Sequence, residues 1–365
     1  MARTIGTASY GLRAPIIQEG DNLQEIVTDI VLTSGIDIKD KDVIGITESL
    51  VARSAGCYVT LDEVVEDIKR LSNNADNILV FQPIYSRNRF AMILKAIARA
   101  AGKKVYIHMP LYDEVGNVVR NHPFTGLNYD EYYTSIVEKE GKECVIVGEA
   151  QTSQVDYDLR DIFREAFVID SRTHCSHSYK DRDDIITLAD ICSDKCDYGL
   201  YGSNKSTEEM LKLFPSHKLS MELVNGIQSN ILRATGKTVE VMVYGDGCFK
   251  DPVGGIWEFA DPVVSPGYTA GLEGTPNELK LKASADAFIV TANHKPTKDE
   301  LDYFIKEDMK ASKSNNMIGD MAAQGTTPRR YVDLLGSLMD LTSGSGDKGT
   351  PIVYVQGYFD NYLDE

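Results

Sequence analysis

The sequence lacks any long hydrophobic segment. No apolar run in its 365 residues approaches the roughly 18 that a membrane-spanning helix needs. The first twenty residues also lack the apolar core of a secretion signal. Hydrophobic residues nevertheless make up 42% of the chain, enough to bury a substantial core. These features predict a soluble cytoplasmic protein of one or two domains.

Basic residues are scarce compared with acidic ones. The chain has 38 lysines and arginines against 55 aspartates and glutamates, which gives a formal net charge of -17. Such a charge disfavours nonspecific binding to nucleic acids and to anionic membranes, because both carry negative phosphates. We therefore expect neither as a partner, and an anionic ligand would need a local basic pocket or a bound cation.

The cysteines are too few and too scattered for a disulfide framework, and they are typical of reduced thiols. Cys192 and Cys196 are four residues apart, but no second pair with zinc-ligand spacing follows. His174, Cys175 and His177 form a denser cluster without a fourth ligand at a usual spacing. This cluster is either a local structural feature or the transition-metal site of a hydrolase or redox enzyme.

Residues 76–170 have the pattern of a separate α/β unit. The segments NILVFQPIY, RNRFAMILKAIARAAG and KKVYIHMPLY predict a strand, a helix and a strand at βαβ spacing. No glycine fingerprint follows the first strand, so a dinucleotide-binding fold is not supported. Arg87 and Arg89 fall at the start of the predicted helix. They either bind an acidic substrate together with backbone N–H groups or are two solvated arginines.

The rest of the chain mixes helices and strands. We predict helices from near Asp21, over 217–236, from Thr297 to about Ser312 and from Pro328 to Leu341. We predict strands over Asp42–Val51, 238–244, 286–292 and 350–358. This order predicts an α+β fold, with one domain formed by 1–75 and 171–365 and an inserted α/β unit at 76–170.

An acidic turn follows the strand that starts at Thr238. The valines at 239, 241 and 243 alternate with other residues, a period-two pattern that predicts a strand. Asp246 comes next, flanked by Gly245 and Gly247, whose missing side chains leave room for a metal ion or a phosphate. The alternative is a tight turn on the surface.

Five segments resemble, in their order along the chain, the coenzyme F-420 (deazaflavin) γ-glutamyl ligase family. They are LRAPIIQEGDNLQEIV, DVIGITESLVARSAG, DYGLYGSN, VMVYGDGCF and RRYVDLLGSLMDLTSGSGDKGTPIVYVQG. Enzymes of this family use GTP to add L-glutamate to a phosphodiester-linked deazaflavin. The resemblance covers residues 8–60 and 175–360, so the unit at 76–170 lies mostly outside it. It implies mixed sheets of the γ-glutamyl ligase type.

The resemblance also implies a site. Its nucleotide-binding residues would be Arg13, Pro15, Ile16, Glu48, Ser49, Arg53, Asn204, Gly346 and Asp347. The tail loop around Gly346 has a second interpretation, a flexible surface connection. Glu48 and Ser49 are polar positions inside an apolar run, so they are either solvent-facing strand positions or ligand contacts.

A metal ion, Mg²⁺ or Mn²⁺, would bind Asp246. Tyr201 stands where the family has a metal-binding aspartate, which leaves Asp197 as the nearest substitute. Gly247 stands where the family has a threonine. These two departures favour an alternative, a non-catalytic relative that binds a nucleotide or another ligand.

The chemistry that the resemblance implies is amide formation. The γ-phosphoryl group of GTP or ATP passes to a carboxylate of the acceptor, and the amine of L-glutamate attacks the acyl phosphate. Asp246 and Arg53 would carry the catalytic roles, and Arg87 and Arg89 would bind the acidic acceptor, a deazaflavin or a folate-like pterin. The family forms dimers, so the resemblance implies a homodimer.

Overall fold

A computed structural model describes residues 5–81, 87–110, 120–121, 125–148, 161–170, 185–245, 249–250, 257–258, 265–276, 281–312, 330–344 and 348–360. The chain divides into two compact units. The first is formed by Met1–Ser54 and His217–Glu365, and the second by Ala55–Ser216. The predicted boundaries after residues 75 and 170 both fall inside the second unit, and insertion of 76–170 into a family domain stays a prediction.

The strands, in chain order, are β1 Ala8–Leu12, β2 Val43–Thr47, β3 Tyr58–Thr60, β4 Asn77–Phe81, β5 Lys104–Met109, β6 Glu143–Gly148, β7 Phe167–Asp170, β8 Ile185–Thr187, β9 Asn204–Thr207, β10 Met210–Lys212, β11 Glu240–Tyr244, β12 Phe249–Lys250, β13 Trp257–Glu258 and β14 Ile352–Gln356. The helices are α1 Leu23–Thr33, α2 Glu48–Ser54, α3 Leu61–Leu71, α4 Arg87–Ala100, α5 Tyr129–Lys139, α6 His217–Thr235, α7 Leu281–Thr291, α8 Lys298–Ser312 and α9 Tyr331–Ser343. Residues 161–165 are also helical, and Ala270–Leu272 form a 3₁₀ turn.

The first unit contains a four-stranded mixed sheet in the order β1-β14-β2-β11. β2 runs parallel to β11 and antiparallel to β14, and β14 runs antiparallel to β1. Helices cover both faces, so the central strands are buried on both sides. α1 and α6 contribute Val27, Val31 and Ile227 to the core on one face. On the other face, α9 contributes Leu335 and Met339.

Burial on both faces changes the interpretation of β11. All five of its residues are buried. Val241 and Val243 pack on the α1 and α6 side, whereas Met242 and Tyr244 pack on the α9 side. The alternation in the sequence therefore separates two covered faces, not a buried face from a solvated one.

Two predicted strands are wrong in part or in whole. The predicted strand Asp42–Val51 ends at Thr47, and Glu48 begins α2. The predicted strand at 286–292 falls on the end of α7, which packs on α8 through stacked Phe288 and Phe304 rings at 4.6 Å. A short apolar run does not distinguish strand from helix, and here the alanine-rich turn that precedes it extends the helix.

The second unit contains a parallel five-stranded sheet in the order β6-β5-β4-β7-β8. β4, α4 and β5 form the βαβ crossover that the sequence predicts, with the two strands parallel and in register. A separate antiparallel sheet has the order β3-β10-β9. Together with the mixed sheet of the first unit, these elements confirm the predicted α+β class. No helix in the described part of the chain is long and apolar enough to cross a membrane.

Candidate functional site

One edge of the mixed sheet gathers the predicted nucleotide-binding segments of the first unit. β2 and β11 are parallel, so both end there, with Thr47 paired to Tyr244. The antiparallel β14 starts at the same edge, where Ile352 pairs with both Ile46 and Leu12. We call this region the carboxyl edge and define it by residues 12–16, 47–49, 244–245 and 348–351.

Backbone hydrogen bonds connect the segments of the carboxyl edge. The N–H of Ala14 donates to the carbonyl of Gly349 at 3.2 Å, which joins the lead-in to the tail loop. The N–H of Thr47 donates to the carbonyl of Pro351 at 3.0 Å, which joins the end of β2 to the start of β14. Segments more than 300 residues apart in the chain therefore form one structural neighbourhood.

Glu48 and Ser49 lie at this edge, because α2 begins there. The side chain of Glu48 is 5% exposed, and that of Ser49 is half-buried. A buried carboxylate requires partners, so its position is defined by the fold. The interpretation of Glu48 as a solvent-facing strand position is wrong, since it is buried and helical.

Arg53 lies at the opposite end of α2. Arg53 is five positions after Glu48 in the helix, a distance of about 7.5 Å along the axis. Its side chain is exposed, and the carbonyl of the next residue, Ser54, accepts a hydrogen bond from the N–H of Gly20 at 2.9 Å. The structure therefore places Arg53 near the Glu-Gly-Asp turn of the lead-in.

The lead-in presents its predicted residues to solvent. Arg13, Pro15 and Ile16 are exposed, and Ile16 is 83% exposed. The next residue, Ile17, is buried in the core and fixes the segment. The lead-in can therefore offer a cation and an apolar surface to a ligand while its backbone remains anchored.

The tail loop adds a residue that the sequence analysis missed. Gly344 ends α9 at a φ of 66°, and a side chain there would meet Nζ of Lys348 at 2.7 Å. Lys348 therefore lies against the start of the loop. The hydroxyl of Thr350 donates to the carbonyl of Ser343 at 2.9 Å and closes the loop. Gly346 and Asp347 lie outside the described residues.

The backbones of Lys348 and Arg13 are close in space, because each residue precedes one of the two residues joined by the Ala14–Gly349 hydrogen bond. The two residues bring two cations to the carboxyl edge, beside the carboxylate of Glu48, in a chain with a net charge of -17. The sequence signal was available: an anionic ligand needs a local basic pocket, and Lys348 is a cation within a glycine-rich loop.

β11 ends at the carboxyl edge with Tyr244, whose side chain is buried beneath the end of α9. Burial raises the pKa of this phenol above its ordinary value. Asp246 follows two residues later and lies outside the described residues, as does Gly247. Its role as a metal ligand stays a prediction.

Within the second unit, the structure brings Arg89 to the segment that carries Asp197, Tyr201 and Asn204. The guanidinium of Arg89 donates through Nη1 to the carbonyl of Tyr201 at 3.2 Å. Arg89 is 7% exposed, so the interpretation of a solvated arginine is wrong for it. Asn204 is half-buried at the start of β9, and Asp197 is exposed. The side chain of Arg87 lies outside what the structure describes.

Cys192 and Cys196 of the second unit are buried thiols. Burial raises the pKa of Cys192 to about 12 and that of Cys196 to about 11, so both are protonated near neutral pH. Within the described ranges, no group of three or more histidine, cysteine, aspartate or glutamate side chains is placed to hold a metal ion. His174, Cys175 and His177 lie outside those ranges.

Of two comparisons with known proteins, one places the chain in a family. A search of curated proteins gives no match. The family model described as F420-0:Gamma-glutamyl ligase matches residues 11–357, a range that includes the parallel sheet of the second unit as well as the carboxyl edge. With nearly its whole length matched, the chain belongs to the F420-0:gamma-glutamyl ligase family.

Proposed function

We propose that the protein is a nucleotide- and metal-dependent amide ligase that joins the amine of L-glutamate to a carboxylate of a small acidic acceptor. The observation that carries this proposal is the carboxyl edge, where the lead-in, the start of α2 and the tail loop meet. These are the segments that the family resemblance assigns to the nucleotide, and membership in a γ-glutamyl ligase family supports the use of glutamate.

The nucleotide would bind across the carboxyl edge. Arg13 and Lys348 would neutralise its phosphates, and the exposed side chain of Ile16 would contact its base. Glu48 and Ser49 would contact the nucleotide from the start of α2. Backbone N–H groups of the tail loop would add a cradle for an anion.

The donor chemistry at this edge fits a hard divalent cation. Mg²⁺ and Mn²⁺ prefer carboxylate oxygens together with phosphate oxygens and water. Asp246, two residues beyond the end of β11, would hold the ion, and Asp197 is a further candidate in the second unit. When bound, the cation would neutralise charge on the transferred phosphoryl group.

The reaction would proceed in two steps. An oxygen of the acceptor carboxylate forms a bond to the γ-phosphorus, and the bond from that phosphorus to the nucleoside diphosphate oxygen breaks. The nitrogen of glutamate then attacks the acyl carbon, phosphate leaves, and the nitrogen loses a proton to solvent. Positioning and charge neutralisation provide most of the catalysis in such transfers, and this is the role we assign to Arg13, Arg53 and Lys348.

A second candidate function is a non-catalytic relative that binds the nucleotide or another ligand. Tyr201, which stands at the family's aspartate position, is half-buried, and its carbonyl accepts the hydrogen bond from Arg89. A tyrosine at the place of a metal-binding aspartate favours the second candidate, because a phenol cannot replace a carboxylate as a ligand to a hard cation. An acceptor of either kind, deazaflavin or pterin, is compatible with the first.

A thermal-shift experiment tests nucleotide binding. We expect GTP or ATP with Mg²⁺ or Mn²⁺ to raise the melting temperature, because a ligand at about 100 times its Kd stabilises the native state by about 2.7 kcal/mol. Asp246→Ala should remove most of this shift. Asp29→Ala, at an exposed position on α1, is the matched control and should keep it.

Catalysis is measured separately, as glutamate-dependent release of inorganic phosphate and as a mass gain of one glutamyl unit on a candidate acceptor. The absence of a nucleotide-induced shift in the wild-type protein would contradict the ligase proposal. A shift without phosphate release, over both deazaflavin and pterin acceptors, would favour the non-catalytic relative.

A further inference from the structure

Arg89 is a buried charge whose position the fold defines. It is the third residue of α4, the helix that follows the central strand β4 of the parallel sheet. Its side chain is 7% exposed. Arginine is rarely buried to this extent unless hydrogen bonds compensate for the lost hydration. Hydrogen bonds within the protein therefore explain the position of Arg89 better than contact with a freely diffusing substrate.

The connection leads to the turn before β9. Nη1 of Arg89 donates to the carbonyl of Tyr201, 112 residues further along the chain. A hydrogen bond from a charged donor is stronger than one between neutral groups. Tyr201 lies three residues before Asn204, which the family resemblance assigns to the nucleotide site. Any movement of the Tyr201 carbonyl is transmitted to Asn204 through only two intervening residues.

The turn itself is tightly held. The N–H of Leu200 donates to the carbonyl of Leu188 at 2.8 Å, and the hydroxyl of Ser203 donates to the carbonyl of Leu200 at 2.8 Å. Gly199 has a φ of 53°, and a side chain there would meet three backbone carbonyls within 2.6 Å. Gly202 lies directly against the ring of Phe214. The turn therefore has little freedom, and the Arg89 hydrogen bond fixes it against α4.

α4 also holds the far end of the same hairpin. Lys95 and Arg99 both form ion pairs with Glu209, in the turn that joins β9 to β10. Arg89 holds the entry to β9, and the other two side chains hold its exit. Side chains of α4 therefore contact the segments at both ends of β9, including DYGLYGSN.

We infer that Arg89 is a positioning residue that sets Asn204 by fixing the carbonyl of Tyr201. The assignment of Asn204 to the nucleotide rests on the proposed function, whereas the ordering of residues 200–204 by Arg89 does not. α4 is then part of the framework that holds Asn204 within the second unit.

Hydrogen exchange measured by mass spectrometry or NMR tests the first step without any ligand. In Arg89→Met, the protected amides of Leu200, Tyr201 and Ser203 should exchange about tenfold faster. Loss of about one hydrogen bond to a charged group shifts the local opening equilibrium by this factor. Lys103→Met is the control, since it removes an exposed cation just after the same helix that pairs with Asp76, and it should leave these amides unchanged.

Nucleotide affinity tests the second step. Arg89→Met should weaken GTP binding about tenfold, and Arg89→Lys, which keeps the charge on a shorter reach, should recover part of the affinity and part of the protection. Unchanged exchange in Arg89→Met would overturn the inference, and so would faster exchange at wild-type affinity. If Arg89→Met does not fold, amide exchange and GTP affinity are compared between Arg89→Lys and the wild-type protein, and the same criteria apply.

The two failures are distinguishable. If the wild-type protein binds no nucleotide, the proposed function fails, and the exchange rates still decide whether Arg89 orders the turn. If the wild-type protein binds GTP and Arg89→Met binds it equally well, the proposed function stands and the positioning role is overturned.

Discussion

The two units of the chain build their sheets in different ways. In the first unit, neighbouring strands come from opposite ends of the sequence, as in the pairing of Ala8 with Gln356. In the second unit, β4, β5 and β6 follow one another in the chain and in the sheet. The comparison shows that the candidate nucleotide site at the carboxyl edge depends on long-range strand pairing, whereas the parallel sheet of the second unit depends on local crossovers.

The two units also place their charges differently. At the end of the mixed sheet opposite the carboxyl edge, Asp42 is 2% exposed and accepts hydrogen bonds from Tyr354, Lys39, Gln356 and Gly357. In the second unit, Glu209 is 56% exposed and pairs with Lys95 and Arg99. We therefore expect the loss of Asp42 to cost more stability than the loss of Glu209, and the Glu209 ion pairs to weaken in salt.

The largest effect is expected from Asp42→Ala. This change leaves several buried donors without an acceptor, including the hydroxyl of Tyr354 at 2.6 Å, and should lower the free energy of unfolding by about 3 kcal/mol. Chemical denaturation measures the loss, and faster amide exchange in β2 and β14 locates it.

Asp40→Ala is the control for Asp42→Ala. Asp40 lies two residues away in the chain and accepts hydrogen bonds from Thr238 and Lys237, but it is exposed. Its loss should be much smaller than that of Asp42→Ala. Equal losses for the two variants would contradict the assignment of a buried polar anchor to the first unit.

Gly45→Ala should have an intermediate effect. A methyl group on Gly45, in the middle of β2, would lie 2.1 Å from Sδ of Met339 and 3.1 Å from the ring of Tyr244. Overpacking of this kind costs about 1 to 3 kcal/mol. Because a methionine side chain can move, Gly45→Ala combined with Met339→Ala should be less destabilised than the sum of the two single variants.

Denaturation curves for the four proteins of this cycle measure the coupling. Strict additivity would show that Met339 is not what excludes a side chain at residue 45. The close approach of α9 to the sheet would then need another explanation.

The smallest effect is a pH dependence in the second unit. Hydrogen bonds from Arg99, and then from Lys95, lower the pKa of Glu209 from 4.5 to about 2. Because the native state depresses this pKa, the stabilisation is full above about pH 4.5 and is lost as the pH falls towards 2. Exposure limits it to below about 1 kcal/mol.

Glu209→Gln should therefore lower stability slightly at pH 6 and not at pH 2.5, and the difference should shrink in 1 M salt. Urea denaturation at the two pH values measures it. Glu208→Gln, at the adjacent and more exposed position, is the control and should change stability less. A loss for Glu209→Gln that persists at pH 2.5 would show that the side chain acts through packing, not charge.

Local patterns were enough to predict much of the second unit. The βαβ crossover over β4, α4 and β5 follows from apolar strands and a helical period that lie within 33 residues of one another. The same reasoning erred at residues 286–292 and at Glu48, because a short apolar run is compatible with a strand and with a helix. What decided these cases was packing, which the local sequence does not contain.

The carboxyl edge was beyond local prediction. Residues 12–16 and 348–351 carry no mutual signal in the sequence, and only the placement of β14 between β1 and β2 brings them together. The family resemblance supplied the members of the site but not their arrangement, and it missed Lys348. The position of Arg89 at the start of a predicted helix suggested a role at the acceptor, whereas burial and the Tyr201 hydrogen bond led us to propose a supporting one.

The central position of β14 affects how the protein is made. A nascent chain that has left the ribosome as far as residue 216 already contains every strand assigned to the second unit, but only β1 and β2 of the mixed sheet. Those two strands are not neighbours in the finished sheet, because β14, residues 352–356, lies between them and pairs with both. The second unit can therefore fold during synthesis, while the first unit completes its sheet and its carboxyl edge only after β14 has been made.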